Sequence, residues 1–276
     1  MPLTLRWKDA TRLPVEAEML NPETLAVLSA IEVARLCMPL GNTAVELGQL
    51  FEVEGDLGDG HLILEGDLRP VRAIGAGMAS GRLTVRGDAG PRLGLGMSGG
   101  ELTVEGSVGV WAGAEMSGGI LRIAGDAGDG LGSALPGSRS GMREGVILVG
   151  GSIGDEAGLA MRRGLIAVGG RAGIGLGRAM IAGSVFAFGA VGELAGMGMK
   201  RGTIALFGLD DPAEPGLLPT FAPSGRDRSP FVTIYLKQLR DWGFAVPDAV
   251  FSGTLSRYNG DRAEGGRGEV LAWGRG

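Results

Sequence analysis

A glycine recurs at a fixed interval through the middle of the chain. It stands at Gly81, Gly100, Gly119, Gly145, Gly164, Gly183 and Gly202, in steps of 19, 19, 26, 19, 19 and 19 residues. Apolar residues fall two and four places on, as in Leu83/Val85, Leu102/Val104, Leu121/Ile123, Ile147/Val149, Ile166/Val168 and Ile204/Leu206. Residues two apart share one face of a strand, so each unit opens with a short strand that has one apolar face. Further glycines, beginning with Gly87, Gly90 and Gly94, cut the rest of the unit into runs too short for helices. Glycine adopts φ > 0 without steric cost and so suits the corners between such runs. One unit cannot bury its own apolar side, but a stack of units can. The pattern predicts an all-β chain: a right-handed parallel β-helix of about seven coils with small mixed α/β caps at both ends, the hand taken from the usual crossover rule.

Other columns keep the same register. Met78, Met97, Met116, Met142, Met161, Met180 and Met199 stand three places before each glycine, seven of the 11 methionines. Flexible thioethers pack well on copies of themselves, and no Cys or His accompanies them, so the column reads as interior rather than as a soft-metal track. Two further columns, Ala89/Val108/Ala127/Ile153/Ala172/Val191 and Leu93/Ala112/Leu131/Ala157/Leu176/Ala195, pair small with larger apolar residues, as a narrow interior requires. The 26-residue step places an insert at about Ser133 to Ser140, read as a loop protruding from one corner near the basic edge described below. Gln49 to Gly55 reads as a shortened first coil. The organisation expected is an N-terminal cap over 1–48, the repeat over 49–208, and a linker, helix and tail over 209–276.

In the first flank, Leu3 to Trp7 alternates like a strand, Asn21-Pro22-Glu23 reads as a helix start, and Ser29-Ala30-Ile31-Glu32 resembles a capping box. In the last, prolines at 212, 215, 219 and 223 mark the linker. Ser229-Pro230 opens a helix that runs to Trp242 and stops at Gly243, with Phe231, Tyr235, Leu239 and Trp242 as its apolar stripe. Asn259-Gly260 signals a turn before a final strand.

Little in the chain points to catalysis. His61 is the only histidine and sits at a coil start, which excludes a multi-histidine metal site and suggests a surface or corner role. Cys37, the only cysteine, lies among Leu36, Met38 and Leu40 and reads as a buried, inert thiol. The many G-x-G strings lack the strand-to-helix context of a dinucleotide fingerprint. Asp56, Asp67, Asp88 and Asp126 follow glycines at one corner, but the column breaks at Ser107, Ser152, Arg171 and Ala190, which argues against a calcium ladder. A net charge of −5 does not suit a nucleic-acid binder. With no apolar run long enough to span a bilayer and no secretory leader pattern, the expectation is a cytoplasmic protein without membrane contact. One surface feature stands out. The two places after the methionine column carry Arg143, Arg162, Arg163, Lys200 and Arg201 in the later coils, with a gap at Ile181/Ala182. This is either a solvated edge or a groove for an anionic partner or ligand tail.

These residues carry a family resemblance. The G-x-φ-x-φ-x-G units resemble the GXGXG domain of glutamate synthase large subunits. The whole chain is similar to the C-type subunit of formylmethanofuran dehydrogenase, and more so to the C-type subunit of the bacterial formyltransferase/hydrolase complex. Leu47 to Gly55 and the tail Arg257-Tyr258-Asn259-Gly260-Asp261 with Gly266-Arg267-Gly268-Glu269 carry that likeness. The resemblance implies a structural subunit without catalytic residues, metal or cofactor of its own. Its complex would move a formyl group from formyl-tetrahydromethanopterin, via a methanofuran-like carrier with a glutamate-rich tail, to formate. The implied partners are a formyltransferase subunit, an amidohydrolase-like subunit and the B-type subunit. The alternatives are the C-type subunit of a molybdenum or tungsten formylmethanofuran dehydrogenase, or a glutamate-synthase-type module. Lysine supplies only three of the 26 basic residues, Lys8, Lys200 and Lys237, a bias that favours the bacterial hydrolytic complex.

Overall fold

The computed structural model describes residues 2–209, 211 and 215–274; Pro212 of the expected linker lies outside them. The N-terminal part comprises β1 (Leu3–Trp7), β2 (Val15–Glu16), α1 (Pro22–Leu25), α2 (Ala30–Ala34), β3 (Cys37–Leu40), β4 (Thr43–Glu46), α3 (Leu47–Leu50) and β5 (Phe51–Glu54). The repeats supply β6 (His61–Glu65), β7 (Val71–Arg72), β8 (Arg82–Arg86), β9 (Ser98–Val104), β10 (Ser117–Ile123), β11 (Glu144–Val149), β12 (Leu165–Val168), β13 (Ser184–Ala187) and β14 (Thr203–Leu206). The C-terminal part adds β15 (Ala222–Asp227), α4 (Pro230–Asp241), β16 (Thr254–Gly260) and β17 (Gly268–Gly274).

The expected right-handed parallel β-helix of about seven coils with mixed caps is not what forms. The chain builds one 13-stranded mixed sheet in the order β15-β16-β17-β14-β13-β12-β11-β10-β9-β8-β6-β1-β5, and a small sheet β4-β3-β2-β7. The run from β1 through β14 to β17 is parallel, but β5 joins β1, and β15 and β16 join β17, in antiparallel fashion. Two physical reasons account for the difference. The remainder of each repeat is too short and too rich in left-handed residues for a second continuous sheet, and it makes single bridges such as Ala89↔Val108 and Val108↔Ala127. The terminal segments lie outside the repeat and pair as its edges allow. Residues 51–54 are therefore not a first coil; β1 takes the place beside β6 and β5 lies beyond it.

Within the parallel run the register follows the glycine period. Leu83 pairs with Leu102, Leu102 with Leu121, Leu121 with Ile147, and so on to Ile204 and Val270. Their shared face is buried in one core with the methionine column and the two small/large columns. Glycine and methionine columns are one packing device. A Cβ on Gly119 would lie 2.7 Å from Met97 Cε, on Gly164 2.7 Å from Met142 Cε, and on Gly183 2.9 Å from Met161 Cε. At Gly100, Gly119, Gly164, Gly183 and Gly202 the methionine methyl of the preceding repeat thus fills the space that the glycine leaves open, whereas Gly145, after the insert, meets backbone instead.

The opposite face of the sheet changes character along the stack. Outward positions are Thr84, Thr103 and Arg122 in β8 to β10, then Leu148, Ala167, Phe186 and Ala205 in β11 to β14. The apolar half is covered by α4, whose Val232, Leu236 and Leu239 are buried against it. The buried stripe is therefore rotated by about one residue from the one expected. Phe231 is 39% exposed, and Tyr235 stacks on Phe186 with ring centroids 5.6 Å apart. Arg122 closes the end of α4, donating from Nη1 to the Trp242 carbonyl at 2.6 Å and from Nε to Glu101 at 2.8 Å. A guanidinium is favourable at a helix C-terminus, where carbonyls lack helical partners.

The local signals in the flanks have the expected effect at α1 and α2. Asn21 Oδ1 accepts the Thr24 amide, and Ser29 and Glu32 form a capping box. The Asn259-Gly260 pair ends β16 instead of turning the chain; a Cβ at Gly260 would fall 2.2 Å from Phe221 Cδ1, so close packing explains that glycine.

Candidate functional site

Arg143, Arg162, Ile181 and Lys200 each follow a column methionine, and each donates its amide to the methionine carbonyl of the preceding repeat, at 2.6 to 2.8 Å. This ladder stacks the side chains in rungs one repeat apart. Ile181-Ala182, read in the sequence as a gap, becomes the low rung between Arg162-Arg163 and Lys200-Arg201. The result is a depression of about 530 Å³ lined by these six residues with Glu264, Gly265 and Arg267. Arg143, one rung earlier and exposed beside Glu144, is not among its lining residues.

The far wall comes from the turn between β16 and β17. Buried Asp261 anchors it, accepting the Gly198 amide at Oδ2 and the Ala263 amide at Oδ1, both at 3.0 Å. Burial pushes the Asp261 carboxyl up, but the Gly198 and Ala263 amides pull it below the usual carboxylate range, so the anchor is ionised. Lys200 Nζ reaches Glu264 at 3.9 Å. Five cationic side chains face one carboxylate, so the notch carries a net positive charge, screened by salt because its groups are exposed. Arg267 is not marked out by the sequence as a site residue. It reaches the notch because β17 pairs with β14, and its only sequence signal is its place in the glycine-rich tail.

Arg163 also lines a second, shallower groove of about 590 Å³. Its floor includes Gly119, Gly145, Gly164 and Gly183, and its far side is Phe231, Tyr235 and Trp242. The insert lines a separate depression with Trp111 and Glu156, and none of the five basic-edge residues is among the lining residues of that depression.

The remaining candidates have structural partners. His61 Nε2 lies 2.9 Å from Thr84 Oγ1, and burial, then the Arg82 charge, lowers its pKa despite Asp59. Cys37 is exposed, contrary to the expected buried thiol, because β3 alternates and turns Met38 inward. The aspartate column is a side-chain ladder: Asp88 Oδ1 accepts the Ser107 amide, Ser107 Oγ the Asp126 amide, and Asp126 Oδ1 the Ser152 amide. The serines do the same work as the aspartates, which is why they interrupt the column. Among the described residues no three His, Cys, Asp or Glu side chains gather as metal ligands would, and no helix is long and apolar enough to cross a membrane.

No family model matches the chain. Among solved structures, one chain of the formyltransferase/hydrolase complex from Methylorubrum extorquens, crystallised with methylofuran, aligns at 36% identity and a TM-score of 0.88 over 97% of this chain and 98% of that one. The C-type subunit of the formyltransferase/hydrolase complex of Methylorubrum extorquens is 38% identical over 83 residues, 29% of this chain and 31% of that protein. The C-type subunit of the molybdenum-containing formylmethanofuran dehydrogenase 1 of Methanothermobacter marburgensis is 36% identical over 87 residues, 31% of this chain and 22% of the relative. That of the tungsten-containing formylmethanofuran dehydrogenase 2 of Methanothermobacter wolfeii is 37% identical over 85 residues, 29% and 32% of the two chains. The aligned stretch thus spans less than a third of each of these three curated relatives. Identity sustained over nearly the whole of a chain in the solved complex is the decisive likeness, and on it the chain belongs to the family of C-type subunits of formyltransferase/hydrolase complexes and formylmethanofuran dehydrogenases.

Proposed function

We propose that this chain is a structural subunit of a formyltransferase/hydrolase complex, which passes a formyl group from formyl-tetrahydromethanopterin through a methanofuran-like carrier to formate. The observation that carries this reading is the 36% identity over 97% of the chain to one chain of the Methylorubrum extorquens complex. In this reading residues 49–208 form the body of the subunit, 1–48 and 209–276 close its ends, and its partners are a formyltransferase subunit, an amidohydrolase-like subunit and the B-type subunit, in the cytoplasm. The notch of Arg162, Arg163, Lys200 and Arg201, extended by Arg143 along the edge, receives an anionic segment, either the acidic tail of the carrier or an acidic partner surface. Each exposed contact is worth at most about 1 kcal/mol, so retention depends on several acting together and weakens with salt.

Purification of the tagged chain with its companions, their identification by mass spectrometry, and assay of formate release test the assignment. Reversal of Arg162, Arg163 and Arg201 to Glu should lower carrier content or companion recovery with steep salt dependence. Unchanged assembly, carrier content and turnover would remove the notch from the proposal. The second reading, a redox formylmethanofuran dehydrogenase, is favoured by the curated matches to molybdenum and tungsten enzymes. Stoichiometric molybdenum or tungsten in the purified assembly would decide for it.

A further inference from the structure

The insert that lengthens one repeat builds one wall of a depression of about 830 Å³. Trp111 and Ile174 stand on the corners around it, 36% and 48% exposed. Trp111 holds φ +60°, and the same place in the other repeats is taken by Arg92, Gly130, Glu156, Gly175 and Leu194, all at φ between +56° and +74°. The column accepts charged, aliphatic and glycine residues alike, so its left-handed backbone does not by itself call for a tryptophan. Its indole lies over Gly130, where a Cβ would fall 2.4 Å from Trp111 Cδ1. The ring is thus seated, with one side left to solvent.

The charge here is opposite to that of the notch. Asp129 and Asp155 each use one carboxylate oxygen to accept an amide of the next repeat, from Asp155 and Ile174 at 2.8 and 2.7 Å, and both residues remain exposed. Glu156 is paired with Arg178. Three carboxylates therefore face one guanidinium around an exposed indole. At the foot of the insert Ser133 is 1% exposed and lines the depression, and its hydroxyl has no hydrogen-bond partner among the described residues. A buried hydroxyl without a partner is costly, and a docked polar group supplies one.

We propose that this corner docks a basic segment of a partner protein, which lays a Lys or Arg head over the Trp111 indole beside Asp129 and Asp155 and an apolar side chain against Ile174. A seated tryptophan with a desolvated cation is a recurrent anchor of protein interfaces, and the acidic rim selects the sign of the partner. The inference rests on the reading of the chain as a subunit of a complex. With the cationic notch, it gives one molecule two faces that select partners of opposite charge.

The full-length tagged chain, co-expressed with the other subunits of its complex, provides the test. Trp111→Gly should lower recovery of one companion about tenfold, with the melting temperature of the isolated chain as the control, since the substitution relieves the left-handed backbone but strips the indole from Gly130. Asp129→Asn combined with Asp155→Asn keeps both Oδ1 acceptors and removes both charges, and should lower recovery of the same companion. Benzoylphenylalanine in place of Ile174 should crosslink to a peptide of that companion containing Lys or Arg. Should Trp111→Gly lower the melting temperature, its loss of companions is structural and the asparagine pair decides. Wild-type recovery from the asparagine pair, or a crosslinked peptide without Lys or Arg, would overturn the inference while leaving the subunit assignment intact. A wild-type chain that recovers no companion would overturn both.

Discussion

Replacing Gly164 with alanine probes the contact that spaces the repeats. Gly164 lies at φ +96°, and a Cβ there would sit 2.7 Å from Met142 Cε and 2.8 Å from the Gly145 carbonyl oxygen. Left-handed backbone costs an L residue about 1–2 kcal/mol. Overlap of this kind adds about 1–3 kcal/mol, as overpacking does elsewhere. The smaller entropy of the unfolded chain returns about 0.4–1 kcal/mol. The net loss should be about 1–5 kcal/mol. Gly96 is the control, because it lies at φ +63° with nothing within 4 Å of its Cβ. Its column already holds Glu115, Ala160 and Ala179 at φ 57°, 53° and 52°. Gly96→Ala should therefore cost about 0–1.6 kcal/mol. Urea denaturation of the isolated chain, compared at constant m, reads both. Adding Met142→Leu to Gly164→Ala removes the Cε contact but not the Gly145 oxygen, so the double variant should lose less than the sum of the single ones. Equal losses at Gly164 and Gly96 would refute the argument that the methionine methyl occupies the glycine's open side.

Met161 is fully buried, so Met161→Asp places an unpaired carboxylate in the core and should leave no soluble folded chain, or one destabilised by more than about 3 kcal/mol in thermal melts. Phe186→Ala removes the ring between Tyr235 and Phe207 and should cost about 3–5 kcal/mol, with faster amide exchange in α4 than in β8. His61 has its pKa lowered in the fold, first by burial, so the unfolded chain takes up the proton first as pH falls. Stability should be full above the unfolded value of 6.5 and decline as pH drops from there through the folded value. His61→Gln should flatten that decline. It should leave the separate loss at lower pH, where Glu65 and Asp67, lowered chiefly by hydrogen bonds from Arg6, Arg86 and Arg69, take up protons.

The repeat is legible because its signals are local and redundant: one glycine, one methionine and two apolar positions per unit set the pairing of Leu83 with Leu102 and of every later rung. The capping box at Ser29 is legible for the same reason. The ends are not. Whether a terminal segment continues a parallel run or turns antiparallel depends on which sheet edge it meets, and neither β5 nor the β16–β17 hairpin carries that in its own residues. The stripe of α4 is ambiguous in the sequence because Phe231/Tyr235 and Val232/Leu236 have the same helical spacing, and only the patch beneath decides between them. At the notch, the sequence displays the cationic rungs but not the wall, since Arg267 arrives through pairing of strands more than 60 residues apart. Arg143 groups with the rest by its column, yet the depression forms only across the low rung of Ile181 and Ala182.

The inner face of the sheet is nearly the same at every rung, so a chain threaded one unit out of step would keep most of its buried contacts. The outer face changes along the stack, through Arg122, Leu148, Ala167, Phe186 and Ala205, with one arginine and one phenylalanine among them. Helix α4 reads these two positions at once, its closing carbonyl at Arg122 and the Tyr235 ring at Phe186. A slipped chain would present arginine and phenylalanine at the wrong separation, and the helix could satisfy one contact or the other. The last helix thus counts the rungs beneath it, and deletion of one whole unit between β10 and β13 should leave a sheet that still pairs but a helix that no longer docks.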